Sequence, residues 1–255
     1  MLASTATLCE QSVPVRHPEG TVHGFLVIHT LDGKQIAVGE LIQTVRGDRV
    51  TARTTYRFKD GSIDDDIVVY SQHGVFRLIS DHQIQKGPSF PHPSDVAVDA
   101  ITGQVTVHSD EGGEEKVTTE HVDVPPDLAN GMILTLLKNL TPSAGETKLS
   151  LLAVTPKVRM VKLAISTAGE DPFTVASAHH KAMHYVVKIQ LGGIAGAVAP
   201  LIGKQPHDID VWIVGGSAPA FVKMDGPTYE GGPIWQIELT SPVWPASPDA
   251  HPVER

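Results

Sequence analysis

Hydrophobic and polar residues alternate with a period of two along most of the chain, in short runs cut by glycine, proline and Asp-Gly turns. The stretch 49–58 shows this most clearly. Val50, Ala52, Thr54, Tyr56 and Phe58 fall on one face and Arg49, Thr51, Arg53, Thr55 and Arg57 on the other, as a half-buried strand requires. Upstream, 21–31 and 35–45 flank Asp32-Gly33, the strongest short hairpin signal. Further strands are predicted at 67–71, 75–84, 96–101, 104–108 and 116–124, which makes at least eight before residue 125. After an interruption the pattern resumes at 148–154, 158–166, 173–178 and 181–191, and 206–241 closes it with three apolar-aromatic runs separated by Gly/Pro turns.

The interruption is helical. Leu128, Met132, Leu136 and Leu140 recur every fourth residue, with Ile133 and Leu137 beside them, which is one apolar stripe of a helix over 127–140. Asp127 suits an N-cap or first-turn acid, Lys138 suits the C-terminal dipole and Pro142 stops the run. Gly131 weakens the helix by about 1 kcal/mol. A second uncharged stretch, 192–203, reads as a short buried helix or a lining loop.

Twelve or more antiparallel strands must protect their edges, and closure or strong curvature is the usual solution. The expected fold is all-β with one main helix: a large antiparallel barrel or two strongly curved packed sheets, the helix near 127–140 lying against one opening. Residues 1–19 read as a mobile N-terminal arm, 20–241 as a single β domain and 242–255 as a Pro-rich tail. A barrel of this strand number has room for a cavity.

Charge narrows the partners. Against 20 Lys and Arg the chain has 29 Asp and Glu, a formal charge of -9 with no basic cluster, which argues against nucleic acid. The acidic runs Asp64-Asp65-Asp66 and 110–115 read as solvated turns. No apolar run approaches the ~20 residues of a spanning helix. The start lacks the charged and apolar regions of a secretory signal, and Cys9, the one cysteine, has no partner for a disulfide. Nothing in the sequence sets an oligomeric state.

Candidate chemistry concentrates in 80–95, where a strand end meets a Pro-rich loop. Asp81 beside His82 could orient an acid/base histidine, with His92 and His121 as further candidates and Lys86 or Arg77 to stabilise an anion. The competing arrangement puts Asp81 and His82 on opposite faces of a strand and packs His92 between prolines. His180 and His184 lie four apart, but on a strand that is about 13 Å, so no metal is expected. No cofactor fingerprint or nucleophile elbow occurs. Trp212, Phe221, Tyr229 and Trp235, with Tyr56, are the candidate wall for a ligand. Trp212 shares its face with Asp208 and Asp210, a mixture that suits a pocket or rim better than a dry core.

Four motifs, Asp123-Val-Pro-Pro-Asp-Leu-Ala-Asn-Gly131, Lys86-Gly-Pro-Ser-Phe-Pro-His-Pro93, Pro200-Leu-Ile-Gly-Lys-Gln-Pro206 and Val211-Trp-Ile with Pro219-Ala-Phe, resemble an uncharacterised family of exported bacterial β-barrel proteins. The resemblance spans roughly 20–241 and implies a periplasmic or surface location, although the family's signal peptide has no counterpart here. It implies no reaction. The expected function is therefore a small-molecule binding protein that holds an apolar or amphipathic ligand in a barrel cavity. The alternatives are a cofactor-independent isomerase, lyase or hydrolase using the histidines, and an envelope scaffold or interaction protein.

Overall fold

The computed structural model describes residues 12–111, 114–154, 157–175, 178–191 and 206–240. The expectations for 1–11, Cys9 among them, for the Gly112-Gly113 turn, for 192–203 and for the tail lie outside these residues.

Among the described residues fourteen strands form one antiparallel sheet. The first eight are β1 (Val22–Thr30), β2 (Gln35–Arg46), β3 (Arg49–Phe58), β4 (Ile63–His73), β5 (Val75–Lys86), β6 (Ser94–Asp99), β7 (Gln104–Glu111) and β8 (Glu114–His121). A crossover containing α1 (Ile133–Asn139) leads to β9 (Thr147–Ala153), β10 (Arg159–Val175), β11 (Ala178–Gln190), β12 (Ile209–Val214), β13 (Ala220–Gly226) and β14 (Trp235–Thr240). Each strand pairs with its neighbour in sequence on either side of the crossover, and β14 returns to pair with β1. Both edges, β8 and β9, therefore flank the crossover, and they do not pair with each other.

The core shows that this open sheet is curled. Val105 of β7 and Leu163 of β10 belong to one buried cluster with Leu128, Met132, Leu136 and Leu137 of the crossover. In the sheet order β7 and β10 stand eleven positions apart, about 53 Å in a flat sheet at ~4.8 Å per strand. A seven-residue helix spans only about 10 Å. The two wings must face each other across the helix, so the expected barrel is a curled sheet filled by its own crossover.

Side-chain hydrogen bonds fix the crossover in place. Ser150 Oγ donates to Asp127 Oδ1 at 2.6 Å, and Lys162 Nζ donates to Ser150 Oγ at 2.7 Å and to Asp127 Oδ2 at 3.3 Å. Asn130 exchanges hydrogen bonds with the backbone of Leu152, at 2.8 and 3.1 Å. Together these contacts cover part of the β9 edge, where unpaired backbone would otherwise invite another strand. Asp127 is thus an anchor to β9 and β10 and not a helix cap. The helix starts later than its apolar stripe suggests because Gly131 sits at φ 63, outside helical geometry, and Met132 occupies the N-cap without a side-chain cap.

Residues 12–19, read as part of a mobile arm, are tied to the wall. Val13 is buried, its carbonyl accepts the Phe76 N–H, and Asn139 Oδ1 accepts from the Arg16 and His17 backbones at 2.9 and 2.8 Å. Glu19 pairs with Lys138 of the helix.

Two departures from simple alternation place the interior polar groups. Asp64, Asp65 and Asp66, read as a solvated turn, belong to β4, where Asp64 and Asp66 continue the inward face of Val68 and Tyr70. In β5 a bulge opposite Val69 and Tyr70 shifts the register. Phe76 and Leu78 point inward before it; Asp81, Gln83 and Gln85 point inward after it. Likewise the two strands expected at 158–166 and 173–178 are one strand, β10, with Ala178 already in β11, because a bulge at Thr167/Gly169 bends the run without ending it.

Gly131 is where the crossover presses hardest on the wall. A methyl at its Cα would lie 2.8 Å from Val68 Cγ2 and 3.0 Å from Asp81 Oδ1. Gly131→Ala is expected to lower the urea midpoint by more than about 1 kcal/mol of stability with the slope unchanged. In Gly24→Ala the new methyl meets nothing closer than 3.7 Å, and the change should stay within about 0.5 kcal/mol.

Candidate functional site

On the outer face of β10 to β14, alternation sends Trp212, His184 and Lys223 away from the core that Val211, Tyr185 and Met224 occupy. His184 and Lys223 are the cross-strand neighbours of Trp212 on its two sides. The imidazole stacks on the indole with centroids 4.4 Å apart and planes 13° from parallel, and Lys223 Nζ lies 4.0 Å from the ring centroid. Cation–π attraction of this kind contributes about 0.5–1 kcal/mol at exposed sites.

Carboxylates lock the stack from its edges. Trp212 Nε1 donates to Asp171 Oδ2 at 2.8 Å. His184 Nε2 meets Asp210 Oδ1 at 2.7 Å, its Nδ1 lies 3.5 Å from Asp171 Oδ2, and Lys223 Nζ reaches Asp225 Oδ2 at 3.0 Å. Beside this wall opens a groove of about 420 Å³ lined by Asp171, Phe173, Trp212, Lys223, Glu238 and Leu239, among others. The volume is in the range of small-molecule sites.

The interior differs. Three rows cross β3, β4 and β5: Ala52, Val68 and Asp81, then Thr54, Asp66 and Gln83, then Tyr56, Asp64 and Gln85. They form a polar layer between the helix-centred core and a second apolar cluster of Ile28, Phe58, Phe90 and Trp235. Gln85 Nε2 donates to Asp64 Oδ2 at 2.9 Å and to the Thr228 carbonyl at 3.0 Å, which ties the layer to the turn before β14. Burial raises the Asp64 carboxyl to about 7, with Gln85 opposing the shift and the Asp66 charge adding to it. Burial also pushes Asp66 well above the ordinary carboxylate range, reinforced by the neighbouring Asp81 charge, and raises Asp81. Asp66 and Asp81 act on each other's titration, so the two carboxyls take up and release protons as a pair.

The structure separates the sequence-derived candidates. Asp81 faces the interior while His82 faces outward, where its Nε2 meets Asp95 Oδ1 at 2.8 Å. Lys86, His92 and His121 are exposed. The row from His82 through Ala97 and Thr106 reaches Thr119, two residues before His121, so three strand spacings, about 14 Å, separate the two histidines laterally. Arg77 donates to Ser12 Oγ and to the Pro126 carbonyl, where it fastens the N-terminal segment and the crossover. The aromatic wall divides as well. Trp235, 5% exposed, packs with Phe58, Phe90 and Tyr229 at centroid distances of 5.2 to 6.1 Å. Phe221 packs against both apolar clusters, and the Tyr56 ring lies over Gly39 in the polar layer. Of the five, Trp212 borders the groove.

Sequence reasoning missed Asp171, Lys223, Glu238, Asp64 and Asp66. The first three come from separate strands with no common spacing. The last two carried a signal in the unbroken period from Asp64 to Tyr70.

An open antiparallel sheet curled around a crossover helix defines a β-barrel-like protein. No family model and no curated protein matches the sequence. Two solved structures are similar: a β-barrel-like protein of the domain of unknown function DUF1849 from Brucella abortus, at 8% identity, TM-score 0.45 and coverage of 87% of this chain and 98% of that one, and the hypothetical lipoprotein YmcC from Escherichia coli, at 8% identity, TM-score 0.39 and coverage of 87% and 85%.

Removing the imidazole from the stack tests its order. In His184→Ala one tryptophan indole N–H resonance should shift while that of Trp235 stays, with a loss of about 0.5–1.5 kcal/mol. An unchanged indole spectrum would show that the stack does not persist in solution.

Proposed function

We propose that the protein binds a small amphipathic molecule with a cationic or hydrogen-bond-donating head in the outer groove beside Trp212. The observation that carries this reading is the clamped indole on the wall of a 420 Å³ groove. An aromatic side chain held by an imidazole, an ammonium and a carboxylate at its N–H loses little freedom when a ligand arrives, and such preorganisation favours affinity. The position differs from the barrel cavity expected from the sequence, because the crossover and the two apolar clusters occupy the interior of the described residues.

The lining supports the ligand's chemistry. Phe173, Leu239, Val222 and Pro172 offer apolar surface, and Asp171 and Glu238 offer carboxylates. The Lys223 ammonium is already paired with Asp225. The residual field is negative, which favours a cation or a donor over an anion.

A chain series distinguishes these classes: octyltrimethylammonium, octyl glucoside and octyl sulfate, each below its micelle concentration. Octyltrimethylammonium has 12 heavy atoms, and at roughly 0.3 kcal/mol per atom its Kd would be on the order of 1 mM. Calorimetry should rank the cation first, the glucoside second and the sulfate last. Asp171→Asn should narrow the gap between cation and glucoside, and Trp212→Ala should weaken both. Equal binding of all three, or binding unchanged in Trp212→Ala, contradicts the reading.

A further inference from the structure

The polar layer inside the barrel has a composition that neither the fold nor the groove requires. Three carboxyls, Asp64, Asp66 and Asp81, stand between two apolar clusters, and among the described residues no ion pair reaches them. Asp64 is 4% and Asp81 8% exposed. Asp66 Oδ1, Asp81 Oδ1 and Thr228 Oγ1 are buried without a hydrogen-bond partner. A buried unpaired charge is far more costly than a neutral carboxyl, so this layer is compatible with its surroundings only while it holds protons.

We propose that the Asp64, Asp66 and Asp81 layer is a pH-operated seam between the two apolar clusters, closed while its carboxyls hold protons and loosened as they lose them. Its position gives it leverage in two directions. Asp81 lies directly under Gly131, the turn that delivers the crossover helix. Asp64 is joined through Gln85 to Thr228, one residue before Tyr229 in the aromatic cluster. Charge appearing in the layer therefore acts on the helix side and on the aromatic side together.

Among the titratable groups facing the layer only His82 opposes proton retention, while the Gln83 and Gln85 amides that donate to Asp64 oppose it too. From β3 comes Tyr56, whose hydroxyl is itself raised by burial and by the Asp64 and Asp66 charges. From β4, Asp65 adds negative charge from the opposite face, although Arg53 binds it at 2.9 and 3.0 Å. His82, on the outer side of β5, acts on Asp66 in the other direction, behind burial and the Asp81 and Asp65 charges in size. The crossover presents Gly131, which has no side chain to titrate.

The direction of the pH effect follows. In the unfolded chain these carboxyls titrate near 4; in the folded protein Asp64 titrates at about 7 and Asp66 and Asp81 are also raised. Between those limits the folded state binds more protons at these three groups, so the stability they contribute is full below about pH 4 and is lost as pH rises through 7. This is opposite to the usual carboxylate, which Asp65, Asp60 and Asp99 represent here with lowered values.

The test labels the protein with 5-fluorotryptophan and follows the Trp235 ¹⁹F resonance, assigned by Trp235→Phe, between pH 5 and 8.5. The expected result is a solvent isotope shift on Trp235 that grows with a midpoint at or above neutrality, while far-ultraviolet circular dichroism stays constant. Asp66→Asn with Asp81→Asn should remove at least half of that change. If the double variant does not fold, Asp64→Asn serves in its place and should displace the midpoint. A Trp235 signal that is flat across this range in the wild-type protein, or a pH response unaltered in the variants that fold, overturns the proposal.

Discussion

The rest of the structure depends on how a fourteen-stranded sheet whose two edge strands do not pair with each other disposes of its inner face. Strand pairing does not close it, since β8 and β9 remain unpaired to each other. Burial closes it. The chain leaves one edge, crosses the interior with the apolar face of 128–137, and begins again at the other edge. Both wings bury their Val, Leu and Ile side chains against that one segment, and at about 25 cal/mol per Å² of apolar surface this shared burial provides the force that curls the sheet. The anchors at Asp127, Asn130 and Asn139 add direction to a force that has none of its own.

Filling the interior has a consequence for function. Space that a barrel of this size could have used for a ligand holds a helix, an aromatic cluster and a polar layer. Among the described residues the groove lies on the outer face, where polar residues alternate with the core residues of β11 to β14. There the sheet fixes His184, Trp212 and Lys223 side by side on three adjacent strands, so the stack is held by the backbone register as well as by its own attractions. The inner acids stand on equally rigid strands but in a dry setting, where each proton counts for more than it does in water.

Much of this was legible in the sequence. Residues 49–58 follow strict alternation and form β3 over those same bounds, and the Asp32-Gly33 turn joins β1 to β2. The apolar stripe at 128–140 announced a buried helix, though the left-handed Gly131 shortened it. What escaped was everything that depends on a change of phase. One extra residue in β5 turns Asp81, Gln83 and Gln85 inward, and period-two reasoning cannot anticipate it without knowing where the partner strand bulges. Three consecutive aspartates look solvated because that is the cheaper place for them; only the pairing of β4 with β3 and β5 reveals two facing in. The groove draws on residues from 171 to 239 in five strands, so no local spacing encodes it. Trp212 was singled out because it shares a face with Asp210, and that face proved to be the outer one.

If the crossover helix is what unites the two wings, damage to it must be felt in both. Leu136, 3% exposed, is the residue to truncate, at a cost of about 2–5 kcal/mol. Hydrogen exchange of backbone amides in Leu136→Ala, compared with wild type at one pH, should show β4 and β7 on one wing and β10 and β11 on the other losing protection by the same factor. Loss confined to one wing would contradict the account, because it would mean that the sheet holds its curl without the segment it encloses.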